Sequence, residues 1–304
     1  MKTDWFLIVN PISGNGKSKK NWNKISDELK KQNILFSFAF TNYSKHEEEL
    51  VENAIKIGFT KIISVGGDGT LHHVVNGIMK QKLVETNTIQ LAVIPIGTGN
   101  DWVKTYNIPT KIDKSIAIIS KQKTILQDIG KLKINNNTIS YFNNVAGIGY
   151  DGYVVHKLKK LKRFGGIAYL LSGLAGLLFY KPIDFIIEIN SKKLQEKCLM
   201  VVFGICKFSG GGMQFTKYIN PFNGLFSITI AKNLTLLDII LNLPKLYNGT
   251  IVHHKKVSTY QTNYLKITPV SKIEKPFIQA DGELIDYGYV SISIIKKAIR
   301  FVIP

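Results

Sequence analysis

Residues 61–70 read "KIISVGGDGT": a short run rich in β-branched residues, then two glycines, an Asp-Gly pair and a threonine. An apolar run this short, bounded by glycine, fits a buried strand, and "LHHVVNGIMK" after it (71–80) carries helical spacing. The segment predicts a strand, a tight turn and a helix. The same unit recurs on both sides. Apolar runs fall at 5–10 ("WFLIVN"), 34–40 ("ILFSFAF") and 91–95 ("LAVIP"), with helical patterns over 18–32, 45–57 and 70–80. Repeated β-α-β units predict a parallel, Rossmann-like sheet with helices on its faces. Ligands bind such sheets at the carboxyl ends of the strands.

Two further glycine loops sit at those ends. "NPISG" (10–14) follows the first strand and "GTGND" (97–101) the fourth, so three loops open at one edge of the sheet. Glycine lets a backbone turn sharply and approach phosphate oxygens, and a helix starting near Thr70 would aim its N-terminal N–H groups at the same place. Asn10, Asp68, Asn100 and Asp101 add polar side chains, and Asp68 and Asp101 are the hard oxygen ligands that Mg²⁺ takes. Residues 9–18, "VNPISGNGKS", end like a nucleotide-binding P-loop. That loop needs a glycine where Pro11 stands, and proline has a fixed φ and no N–H to donate. Gly-Lys-Ser is therefore read as the opening of a helix, and Asn10, Ser13 and Gly14 as the part bordering a nucleotide.

From about residue 123 short β-rich runs separated by turn signals replace the alternation, and 234–246 reads as a helix. The expected organisation is an α/β domain over 1–122, with 296–304 packing back on it, and a mostly antiparallel domain over 123–295. Near its end, "QADGELI" (279–285) reads either as a hairpin turn or as a catalytic loop. In the second reading Asp281 accepts a proton from an attacking hydroxyl and Glu283 is the other candidate.

The 304 residues carry 40 Lys and Arg against 21 Asp and Glu, a formal charge of +19. That balance favours anionic partners, and no nucleic-acid reading motif accompanies it. "HKLKKLKR" (156–163) precedes the uncharged "FGGIAYLLSGLAGLLFY" (164–180), whose glycines and cationic flank suit a buried or interfacial helix better than a membrane span. Cys198 and Cys206 lack metal or redox spacing and read as buried, reduced thiols of a cytoplasmic protein. The N-terminus lacks a signal-like stretch.

Taken together, "NPxSG", "GGDGT" followed by "VVNG", "GTGND", then "GGGM" (210–213) and the late "DGE" (281–283) resemble the diacylglycerol kinase catalytic-domain family, particularly its bacterial lipid kinases. The resemblance runs in order along nearly the whole chain. It implies an N-terminal nucleotide-binding domain, a C-terminal β-sandwich, and transfer of the γ-phosphate of ATP to a lipid hydroxyl with Mg²⁺. Carried onto this sequence, Asn10, Gly66, Gly67, Asp68, Gly69, Thr70 and Thr98 would contact ATP or its metal, Thr41 matches a nucleotide-contacting threonine, and Asp281 would be the general base. It further implies ATP and a membrane lipid as partners, with peripheral attachment to an anionic surface; a homodimer is left open. The chain departs from the family at His72-His73, where Asn-Glu is usual, and at Tyr218 and Asn223, where acidic residues hold a structural Mg²⁺. Two rival readings are an NAD kinase-like enzyme and a catalytically weak, lipid-binding member of the fold.

Overall fold

The computed structural model describes residues 2–158, 176–232 and 234–304. Most of the basic and apolar segments at 156–180 lie outside the described residues. The chain divides into two compact units, Met1–Asp128 with Lys296–Pro304, and Ile129–Ile295.

The first unit is built on four parallel strands, β1 (Lys2–Val9), β2 (Phe36–Phe40), β3 (Phe59–Gly66) and β4 (Gln90–Pro95), in the order β4-β3-β1-β2. The end of the last strand, β15 (Val290–Val302), continues this sheet by pairing Arg300 and Phe301 with β4 in parallel. The helices are α1 (Ser13–Lys20), α2 (Trp22–Lys31), α3 (His46–Lys56), α4 (Asp68–Lys80), α5 (Asp101–Thr105) and α6 (Ile112–Lys121). Because β2 and β3 flank β1 on opposite sides, the strand order reverses at β1, where doubly wound sheets open a crevice. The loops after β1 and β3 line that point.

Sequence patterning explains the layers. Leu7, Val9, Ile63, Val65 and Ile94 turn to one face of the sheet and pack with Ile25 and Leu29 of α2 and Ile116 and Ile119 of α6. Burial of each such side chain contributes about 1.5–3 kcal/mol. Elsewhere α3 lies so close to α4 that a Cβ on Gly77 would fall 2.9 Å from the Val51 Cβ and 3.0 Å from the Glu48 Cα. The single helical pattern over 18–32 resolves into α1 and α2, broken at Asn21.

The second unit is antiparallel. Strand β5 (Thr124–Ile134) enters it and turns back as a hairpin with β6 (Thr138–Phe142). The others are β7 (Val145–Gly149), β8 (Ile183–Ile189), β9 (Lys192–Gly204), β10 (Phe226–Lys232), β11 (Val257–Thr262), β12 (Tyr264–Pro269), β13 (Phe277–Ala280) and β14 (Glu283–Tyr287). Their order is β14-β13-β7-β9-β8-β12, while β10 joins β9 and β11 joins β10. Every residue of β7 is buried, so both faces of that strand are covered, as in the interior of a sandwich. Among the described residues, two α-helices accompany the strands, α7 (Tyr150–Leu158) and α8 (Leu236–Asn248). Helix α8 begins on a capping box in which Asp238 N–H donates to Thr235 Oγ1 and Thr235 N–H to Asp238 Oδ2. Cys198 and Cys206 are buried thiols outside any disulfide, and burial pushes the Cys198 thiol up to about 12. No helix among the described residues is long and apolar enough to cross a membrane.

Candidate active site

At the carboxyl edge of the first unit's sheet the three glycine loops interlock through their backbones. A Cβ on Gly67 would lie 2.9 Å from the Gly97 Cα, and one on Gly97 would lie 2.5 Å from the Gly67 Cα. Both distances are shorter than side chains tolerate, so only glycine on both loops lets them touch. Gly66 is held against Thr70 Oγ1 and Ser13 Oγ, 2.4 and 3.0 Å from where its Cβ would be. Gly14, at φ +60°, is pressed against the Ile96 carbonyl. Gly14, Asn15 and Gly16 all take left-handed φ, so the start of α1 is a left-handed turn and regular helix begins only after it.

Asn10 is the hub of this edge. Its backbone N–H donates to the Val65 carbonyl (3.0 Å), its Nδ2 donates to Thr70 Oγ1 (3.0 Å) and Glu47 Oε1 (3.4 Å), and its Oδ1 accepts from the Ile12 N–H (3.2 Å). One side chain thus ties β1 to α3 and α4. Ser13 Oγ shares a hydrogen bond with Thr70 Oγ1 at 3.3 Å. Asn100, also left-handed, clamps its own loop by accepting from Gly97 N–H and donating to the Gly97 carbonyl, both at 2.9 Å. Thr41 is buried just after β2, its N–H on the Val9 carbonyl. Thr98 is exposed at the loop tip and Gly69 lies in the first turn of α4.

Asp68 opens α4 and reaches across to the next helix, its Oδ1 accepting from the N–H groups of Asp101 (2.8 Å) and Trp102 (3.2 Å). Its Oδ2 and the Oδ2 of Asp101 converge on Gly99, 2.9 and 3.5 Å from the position a Cβ there would fill. Lys104 Nζ sits 2.8 Å from Asp101 Oδ1. Two carboxylates aimed into a space kept open by glycine form a donor set that fits Mg²⁺, which commonly takes one or two carboxylates and fills its remaining positions with water and phosphate oxygens.

The carboxylate at Asn10 comes from a place the sequence does not advertise. Glu47, in the charged run "HEEE" (46–49), is only 3% exposed. Burial raises its pKa, against the pull of His73, His46 and the Asn10 hydrogen bond. Position 73, where the resemblance expects a glutamate, presents an imidazole whose Nδ1 lies 3.5 Å from Glu48 Oε1. Burial works against charge on Glu48, yet the bonds from His73 and Lys80 hold its carboxyl down at about 2. His72 faces elsewhere, its ring 3.3 Å from Asn76 Nδ2.

In the second unit, Asp281 occupies the β13–β14 turn, 8% exposed and left-handed at φ +51°. Its Oδ1 accepts from Asn144 N–H (3.0 Å) and its Oδ2 from Asn143 N–H (3.2 Å), so two successive amides fix the carboxylate plane. Glu283 begins β14, paired with Ala280. Behind the turn, Gly282 N–H donates to Gln279 Oε1 (2.9 Å), and Gln279 Nε2 donates to Asp151 Oδ2. Neither the Asn143-Asn144 clamp nor the Gln279–Asp151 link has a signal in local spacing, because both join residues more than a hundred positions apart.

Asp151 is half-buried on α7, and desolvation of its carboxylate pushes its pKa up to about 6. Its folded value lies above the unfolded one, so its contribution to stability is full below about pH 4 and is lost as pH rises toward 6. Asp151→Asn is therefore expected to raise the melting temperature at pH 7–8, by about 1–3 kcal/mol of stability, and to gain nothing at pH 4. Thermal unfolding of both proteins across that range checks this.

Residues 4–132 match the diacylglycerol kinase catalytic domain and 144–303 the YegS C-terminal NAD kinase beta sandwich-like domain. The chain belongs to the diacylglycerol kinase family. It is 30% identical over 259 residues to a Shewanella frigidimarina protein named "Probable lipid kinase YegS-like", covering 84% of this chain and 80% of that one. A Staphylococcus haemolyticus diacylglycerol kinase is 28% identical, with 91% of this chain and 81% of that one covered. The fold matches the crystal structure of a Bacillus anthracis diacylglycerol kinase at a TM-score of 0.73 and 18% identity, over 99% of this chain and 97% of that one. As a member of this family the protein is a kinase, a phosphotransferase acting on a hydroxyl, and its second domain is a β-sandwich. Where the resemblance expects acidic residues, this kinase has Asn223, whose Oδ1 accepts from Leu225 N–H in a turn, and Tyr218, with Lys217 Nζ 5.1 Å from its ring centre.

Proposed function

We propose that this lipid kinase transfers the γ-phosphate of ATP to the hydroxyl of diacylglycerol, at the cytoplasmic surface of a membrane to which it attaches peripherally. The observation that carries the reading is the interlocked loop edge of the first unit, where the Gly67–Gly97 approach, the Asn10 hub and two carboxylates share one end of one sheet. Backbone N–H groups at the start of α4 and in the "GTGND" loop suit phosphate oxygens. Asn10, Ser13, Gly14, Thr41, Gly66, Gly67, Asp68, Gly69, Thr70, Thr98 and Asn100 are the proposed nucleotide contacts. Asp68 and Asp101 would hold Mg²⁺, which supplies charge neutralisation on the phosphates.

In the reaction, the acceptor hydroxyl gives its proton to Asp281 as its oxygen attacks the γ-phosphorus. The bond from that phosphorus to the β–γ bridging oxygen breaks, and ADP leaves with the electron pair. The amides of Asn143 and Asn144 hold the Asp281 carboxylate in one plane for this step. Glu283 is the second candidate for the proton.

The loop after β1 gives a discriminating test. Asn10→Ala removes the bonds to Thr70 and Glu47 and is expected to weaken ATP binding about tenfold, the cost of stranding buried polar partners. Lys17→Ala, at an exposed position, is expected to leave it within about twofold. Calorimetric titration of ATP into the two variants checks this; the reverse order would restore a P-loop reading.

A further inference from the structure

Helix α8 is amphipathic in the wrong sense for a helix packed on a sheet. None of its residues is buried. Leu237, Ile240, Leu241 and Tyr247 are 64, 46, 69 and 42% exposed. At 3.6 residues per turn these four, with Pro244 between them, share one outward arc. The helix is nonetheless well specified, by its Thr235–Asp238 capping box and by Gly249 in the left-handed conformation after its last turn. A contiguous apolar face turned to solvent on an ordered helix is the mark of an interaction surface.

The charge around it says what kind. Residues 206–256 contain six lysines and one carboxylate, Asp238, and that carboxylate is bound to Lys256. Lys245 is exposed on the helix itself and Lys255 soon after it. The segment before the helix is joined to its last turn by Gln214 N–H donating to the Leu246 carbonyl at 2.7 Å. That segment carries two lysine–aromatic pairs, Lys207 over Phe208 at 5.3 Å and Lys217 over the half-exposed Tyr218 at 5.1 Å. Cationic stems beside aromatic rings are the side chains that settle at a headgroup boundary.

We infer that α8 is the element by which this chain lies in an anionic bilayer surface, its Leu237–Leu241 face in the acyl boundary and the surrounding lysines on the headgroups. This rests on the lipid-kinase reading for its purpose but not for its physics. A second copy is a poorer occupant. Two surfaces each bearing this excess of lysine repel, and five side chains on one helix fall well short of the roughly 20–30 residues a side of a stable interface. A nucleic acid would match the lysines and leave the leucines in water.

The test is co-sedimentation with phosphatidylglycerol-rich vesicles, without ATP or acceptor, so that it reads the surface alone. Wild type is expected to bind these and to prefer them to pure phosphatidylcholine. Leu237→Asp with Leu241→Asp is expected to weaken binding by about tenfold or more, the loss of two buried leucines, with an unchanged melting temperature. Lys245→Glu should weaken it by about fivefold or more. The proposal is overturned if wild type ignores the vesicles or the double variant binds as wild type does. It also fails if the double variant only converts a wild-type dimer to monomers in light scattering. Turnover on a water-soluble short-chain diacylglycerol, measured in parallel, is expected to survive the double substitution. Lost vesicle binding with no turnover in any protein would keep the surface and sink the kinase reading instead.

Discussion

Asp281→Asn is expected to lower kcat by roughly a hundredfold to ten-thousandfold, the range for removing a general base, while ATP binding stays near wild type. Asparagine suits the site's backbone because it tolerates the left-handed φ that Asp281 adopts. Its Oδ1 can still accept one of the two amides that hold the carboxylate, and its NH₂ then opposes the other. One buried N–H left without an acceptor costs about 1–3 kcal/mol, a modest drop in melting temperature that leaves the protein folded. The substitution thus separates chemistry from stability, and single-turnover phosphate transfer with saturating ATP reads it. Glu283→Gln is the companion. Full activity in Asp281→Asn together with loss in Glu283→Gln would move the base to Glu283.

Gly97→Ala is the second large effect. The new methyl would sit 2.5 Å from the Gly67 Cα and 2.6 Å from Asn100 Oδ1. Neither neighbour can swing away, since one is backbone and the other closes the loop through its two bonds to Gly97. The two loops must part. Overpacking of this kind costs about 1–3 kcal/mol, and here the cost falls on the groups proposed to hold phosphate, so ATP affinity should drop by about tenfold to a hundredfold. Gly16→Ala is the control, because a Cβ at Gly16 would meet nothing within 4 Å. Its cost is the left-handed φ alone, about 1–2 kcal/mol of stability. In a P-loop the same change would abolish binding; here ATP affinity should stay within about threefold.

Much of this architecture is legible in the chain itself. The apolar runs at 5–10, 61–65 and 91–95 became β1, β3 and β4 because strands buried on both faces need unbroken apolar sequence. The three loops fell at one edge because parallel strands place all their carboxyl ends together. Boundaries were less legible. Helix α4 starts at Asp68 and not Thr70, since Asp68 takes part in its first turn while bonding to α5. Helix α8 runs over Leu236–Asn248 and not 234–246, because Thr-x-x-Asp at 235–238 caps it and Pro244 is accommodated within it.

What stayed hidden depends on contacts between distant residues. A glutamate in "HEEE" carries no local sign that the fold brings Asn10 beside it. An aspartate in "GYDGY" carries no local sign that Gln279, 128 positions away, donates to it. Spacing finds groups that share one turn or one strand. It does not find a carboxylate supplied by a neighbouring helix, as Glu47 supplies one at Asn10 while position 73 carries histidine.

Lipid phosphorylation is read by incubating the purified protein with γ-labelled ATP, Mg²⁺ and separate vesicle preparations containing diacylglycerol, ceramide, a sphingoid base or phosphatidylglycerol alone. Label should appear in phosphatidic acid from the diacylglycerol preparation, and Asp281→Asn should abolish it. Transfer to another lipid of the panel would keep a lipid kinase and replace its substrate. Label in none of the lipids, or label transferred to NAD, would show that the protein is not a lipid kinase of this kind.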